Sequence, residues 1–82
     1  MDFKTFAENE YMPYAKVNKK SWKDDDNKLK LEIILTFGRM PLVAVGARDV
    51  ETLLMKVKKR ASGATANRYR SLLSQMFSLA VE

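Results

Sequence analysis

Eighty-two residues make one small domain, whose single core leaves little room for an enclosed active site. The absence of cysteine and histidine excludes disulfides, thiolate metal sites and imidazole acid–base chemistry. Fifteen basic against ten acidic side chains leave a formal charge of +5, which fits nucleic acid, an anionic membrane surface or an acidic protein as partner.

The opening Met1-Asp2-Phe3-Lys4 has no apolar targeting region, and no apolar run approaches the ~20 residues a membrane span needs. A soluble, cytoplasmic protein without membrane contact is therefore expected. Thr5-Phe6-Ala7-Glu8 has the capping-box pattern and predicts a first helix over about residues 5–16. Phe6, Tyr11 and either Tyr14 or Ala15 would face inward, and Pro13 is placed to kink or shorten the helix. A polar break, Val17-Asn18-Lys19-Lys20-Ser21, then offers Asn18 or Ser21 as the next cap.

A second helix is predicted over about residues 19–36, with Gly38 near its C-terminal cap. Beyond Leu29 it is apolar on nearly every side, through Leu31, Ile33, Ile34 and Leu35, which predicts neighbours all round. Before Leu29 only Trp22 is strongly apolar, so this half is expected to project past the core. At about 100° per residue, Lys19, Lys20, Lys23, Asn27 and Lys30 share one polar stripe, with Asp24 and Asp25 pointing elsewhere and Asp26 on its border. The aspartate triplet complements the positive end of the helix, and Trp22 is expected to pack beside Leu29 and Ile33.

Arg39-Met40-Pro41 ends that pattern, and Leu42, Val43 and Val45 read as a short extended connector. Gly46 serves as cap for a third helix over about residues 47–60, with Val50, Leu53, Leu54 and Val57 as its buried stripe. Lys58, Lys59 and Arg60 sit favourably at its negative end. Ala61-Ser62-Gly63 is a tight turn, with Ser62 as cap of a fourth helix over about residues 63–81. Ala66, Tyr69, Leu73, Met76, Phe77 and Ala80 form its apolar stripe. The elements together predict an all-α fold, a compact four-helix bundle.

The polar side of the fourth helix carries Asn67, Arg68, Ser71 and Gln75, side chains that hydrogen-bond base edges and phosphates. Arg matches the two acceptors of guanine, and Asn or Gln the edge of adenine. Thr65 has two readings, a phosphate contact near the helix start or a local bond in the first turn. A polar outer face is also what any helical bundle needs, and a lysine-rich stripe is by itself most simply a solvated surface.

In order, the chain has a Thr-Phe opening, Lys20-Ser21-Trp22-Lys23, an apolar helix ending Phe37-Gly38 and then Pro41-Leu42. Val45-x-x-Arg48-Asp49-Val50, Ser62-x-x-Thr65-x-Asn67-Arg68-Tyr69 and Phe77-x-x-Ala80-Val81-Glu82 follow. This ordered set, spanning essentially the whole chain, resembles the core-binding domain of tyrosine recombinases, the phage-integrase family. The resemblance implies a SAM-like four-helix bundle that forms half of a clamp around a recombination-site duplex, its second and fourth helices approaching the major groove. It implies that Lys19, Lys20, Lys23 and Arg70 hold phosphates, that Asn67, Arg68, Ser71 and Asn27 approach bases, and that Ser21, Thr65 and Gln75 complete the DNA-facing set. The implied partners are double-stranded DNA and a catalytic domain of the same polypeptide, with no cofactor and no metal. Tyr11, Tyr14 and Tyr69 fall on core or near-core positions, so none is a candidate nucleophile. On this reading residues 1–82 are a single core-binding domain, with no catalytic residue of its own, monomeric in isolation, from a bacterial or phage-encoded protein.

A second class stays open, a helical interaction module whose basic third helix docks an acidic protein partner. A small enzyme is disfavoured, because the carboxylates form no clear pair and histidine and cysteine are missing.

Overall fold

A computed structural model describes residues 1–81. Helix α1 spans residues 3–18, α2 residues 22–37, α3 Ala47–Arg60 and α4 Gly63–Val81, and among the described residues there is no strand, only an isolated bridge between Asp2 and Pro41. The all-α, four-helix architecture is the one the sequence predicts. The chain divides into two units, residues 1–45 and the residues from Gly46 onward.

In the first unit, α1 opens three residues before the predicted capping box. Asp2 caps it, accepting the Thr5 backbone N–H at 2.7 Å, so Thr5 is the capped residue and not the cap. Hydrogen bonding from Thr5, through its side chain first and its backbone second, holds the Asp2 carboxyl below the ordinary carboxylate range. The segment ahead of α1 is stitched to residues 38–42, with Phe3 donating to the Met40 carbonyl at 2.9 Å and Leu42 to that of Met1 at 2.9 Å.

Pro13 does not shorten α1, which runs on to Asn18. Residues 7–11 form a widened π-type turn in which the Met12 N–H bonds the Ala7 carbonyl five residues back. Proline has no N–H to give and its ring crowds the carbonyl four residues earlier; a widened turn just before it relieves both conflicts. A second such turn, residues 29–33, lies in α2, where the Ile34 N–H bonds the Leu29 carbonyl. The buried rows follow from this geometry. Phe3, Ala7, Tyr11 and Ala15 recur at strict intervals of four, as do Asp25, Leu29, Ile33 and Phe37, and all eight are buried. Such a row drifts by about 40° per step on a regular α-helix, and the π-type turns take up the drift. Phe3 and Phe37 meet edge-to-face at 5.8 Å, closing the two helices as an antiparallel pair.

Two further expectations for α2 fail. Its first half does not project past the core but packs on the second half of α1, through the buried Asp25. Nor is its second half enclosed, for Leu31 is 65% and Leu35 79% exposed. Gly38 ends α2 with ordinary right-handed backbone; a Cβ there would run into the Ile34 carbonyl oxygen, which is the reason for glycine. Asn18 caps no following helix, since its amide donates back to the Tyr14 carbonyl at 2.9 Å, and Tyr14 itself is half exposed while Ala15 is buried. Leu42–Ala44 is not extended. Pro41 sets up a single 3₁₀ turn, with Ala44 donating to its carbonyl at 2.9 Å.

The second unit is a helical pair with the predicted boundaries. Gly46 precedes α3, and Asp49 reaches back to accept its N–H at 3.0 Å, the half of a capping box that needs no side chain at the cap. Ser62 caps α4, its hydroxyl oxygen accepting the Thr65 N–H at 3.1 Å. Leu53, Leu54 and Val57 of α3 and Ala66, Tyr69, Leu72, Leu73 and Met76 of α4 are buried, and the two helices pack on one another. Leu72 joins the buried row, which follows 69, 72, 73 and 76, whereas Ala80, on the same side one turn further on, is exposed.

Candidate nucleic-acid interface

Within the first unit the predicted lysine stripe divides. Lys19 and Lys20 do not lie on α2, which starts at Trp22; both belong to the turn after α1, where Lys19 has extended backbone. Lys23, Asn27 and Lys30 remain on the exposed side of the helix. Ser21 is exposed at the cap position and makes no side-chain capping bond there.

Lys19 is committed to folding. Its ammonium donates to the Asp25 carboxylate at 2.6 Å and reaches the Tyr11 hydroxyl oxygen at 3.5 Å. Tyr11 in turn donates to the same carboxylate oxygen at 2.9 Å. This buried trio joins α1, the turn and α2, and gives a lone buried carboxylate two donors. Burial first, and then the hydrogen bond to Asp25, push the Tyr11 hydroxyl well above the ordinary phenol range. The other two aspartates also hold lysines one helical turn on, Asp24 with Lys28 and Asp26 with Lys30 at 3.0 Å. The aspartate triplet is therefore structural, each member neutralising one lysine.

Lys16, Lys20 and Lys23 have no carboxylate partner among the described residues. Two of these converge. The Lys16 ammonium lies 5.2 Å and that of Lys23 5.8 Å from the centroid of the Trp22 ring, which is half-buried. Trp22 is thus a platform for two cations. Sequence reasoning left out Lys16 and Trp22. The signal for Lys16 was arithmetic: six lysines against three aspartates over residues 16–30 must leave three cations over.

On α4 the predicted polar face forms as expected. Asn67, Ser71 and Gln75 recur at intervals of four along its exposed side, with Arg68 on one flank and Arg70 on the other. The flanks differ. Arg68 makes no ion pair among the described residues, whereas Arg70 donates to Glu51 of α3 at 2.9 and 3.5 Å. Both partners of that pair are more than half exposed, so it holds Arg70 only weakly. Asn67 and Arg70 also edge a groove of about 310 Å³ between α3 and α4, floored by Leu54, Met55 and Ala66. Thr65 adopts the local reading, its hydroxyl accepting from Ser62 at 3.1 Å in the first turn.

No described helix is long and apolar enough to cross a membrane. Comparisons with curated proteins and with solved structures give no match. The family model of the phage integrase central domain, by contrast, matches residues 3–82. Four helices in the expected order, a polar outer face on the last of them, and that match over nearly the whole chain place it: the protein belongs to the phage integrase central domain family, the DNA-binding module of tyrosine recombinases.

Proposed function

We propose that this chain binds the duplex of a recombination core site through α2, the turn before it, and α4, and so positions a catalytic domain of the same polypeptide. The observation that carries this reading is the exposed face of α4, where Asn67, Ser71 and Gln75 stand in one row beside an Arg68 that has no carboxylate partner among the described residues. A guanidinium left uncompensated next to amide and hydroxyl groups matches the donors and acceptors of base edges. Lys20 and Lys23 supply phosphate contacts, with Lys19 held back by Asp25. Arg70 exchanges its exposed Glu51 partner for a phosphate at little cost. Cleavage and joining of strands belong to the catalytic domain, and residues 1–82 take part as a monomer.

Titrating isotope-labelled protein with a core-site duplex at low and higher salt, and following backbone NMR shifts, tests this. Shifts on residues 20–30 and 65–75 that fade with salt support it. Replacing Arg68 with alanine should weaken binding by about 1–3 kcal/mol if the side chain pairs with a base through two bonds. Shifts confined to α3, or none at all, would reject the groove-binding face and favour an acidic protein docking on Lys56–Arg60.

A further inference from the structure

We infer that Lys16 and Lys23, held on the Trp22 ring, form a clamp for the phosphate backbone of duplex DNA, with Lys16 of α1 as a contact outside the two helices assigned above. The inference rests on the DNA-binding reading and deepens it.

The three aspartates of α2 each hold one lysine, which leaves Lys16, Lys20 and Lys23 as the uncancelled lysines of residues 16–30. Lys16 and Lys23 are two of these, and they approach one aromatic ring, at 5.2 and 5.8 Å from its centroid. A carboxylate would cancel their charge. An aromatic face orients an ammonium without neutralising it, and leaves its N–H donors available. Each ammonium beside the ring keeps its full charge and its N–H donors, so a phosphate backbone passing the ring meets two uncancelled cations at its edge. Lysine binds phosphate as a point charge, with no bidentate geometry to read a base, so the clamp carries affinity and register rather than sequence preference. Lys16 stands near the end of α1 and Lys23 at the start of α2, so a duplex backbone that contacts both is fixed against two elements at once.

Trp22 is the chain's one tryptophan, and its emission reports directly on the clamp. The 82-residue protein is titrated with duplex DNA over a series of salt concentrations, alongside Lys16→Ala, Lys23→Ala and, as a control of similar charge and exposure, the Asp26-paired Lys30→Ala. Duplex should change Trp22 emission. Lys16→Ala and Lys23→Ala should each weaken binding severalfold at low salt and reduce the slope of log affinity against log salt by about 1, while Lys30→Ala stays near wild type. Inorganic phosphate at matched ionic strength should leave the emission unchanged; saturation by phosphate alone would overturn the duplex as ligand. Wild-type slopes for Lys16→Ala and Lys23→Ala, with Arg68→Ala still weakened, would overturn the clamp and leave the α4 reading standing. A duplex that shifts neither Trp22 emission nor any α4 resonance would overturn both.

Discussion

The two units answer the same problem of excess charge in opposite ways. In residues 1–45 charge is built into the structure: Asp25 is buried with Tyr11 and Lys19, and two more aspartates hold lysines along α2. In the α3–α4 pair folding rests on an apolar seam, and the ion pair of Arg70 with Glu51 lies at the surface. The lysine count of the first unit therefore overstates the charge it offers a ligand. The second unit has fewer cations on its α4 face, yet Arg68 there has no ion-pair partner among the described residues.

Breaking the buried trio should have the largest effect. Asp25→Ala takes the shared carboxylate away from the Tyr11 hydroxyl and the Lys19 ammonium, and is expected to lower stability by about 3–5 kcal/mol in urea denaturation. A loss below about 1 kcal/mol would mean that the trio is decoration, and the contrast between the units would collapse.

Tyr11→Phe removes one donor to the carboxylate while Lys19 keeps it paired, so a smaller loss of about 1.5–3 kcal/mol is expected. A pH signature accompanies it. Because the folded hydroxyl titrates above its ordinary value of 10.0, the Tyr11 contribution is level below pH 10; above that the unfolded chain releases a proton that the folded chain retains, and stability falls. The stability gap between wild type and Tyr11→Phe should therefore narrow as pH rises beyond 10. A gap independent of pH would show that the hydroxyl is not held by Asp25.

Smaller effects sharpen the view of the second unit. Ser62→Ala should cost about 1 kcal/mol through loss of the α4 cap, read as a shift in the denaturation midpoint at unchanged slope. Glu51→Gln should change stability by less than about 1 kcal/mol, since the pair is exposed, while strengthening DNA binding by releasing Arg70. Weaker binding in that variant would instead make Glu51 a positioning residue for Arg70.

The boundaries of α3 and α4 were legible because their apolar residues follow a regular helical period and a Gly-containing turn separates them. Those of α1 and α2 were not. Asp2 and Thr5 both suit a helix start, and only the bond between them decides which one caps. Asp25 looked like a surface acid because its partner Tyr11 lies fourteen residues away, beyond the reach of any local pattern. Leu31 and Leu35 looked buried because hydrophobicity is not burial, and one side of α2 is open. On the candidate interface, helical period alone showed that the polar residues of α4 share an exposed face, whereas the lysines could be sorted only once their aspartates were assigned.

The buried rows at strict intervals of four have a consequence for how this chain tolerates insertions and deletions. Each π-type turn holds one residue more than a regular helical turn of the same rise requires. Deleting a single residue from either turn would restore regular winding, and the two changes offset: the lost residue removes about 100° of rotation and the tightened turn returns about as much. Ala15 in α1 and Phe37 in α2 would then follow the first residue of their rows by eleven residues of regular helix, which end within about 20° of where they began. A one-residue deletion here is thus absorbed, whereas the same deletion in a regular stretch of either helix turns everything beyond it by about 100°.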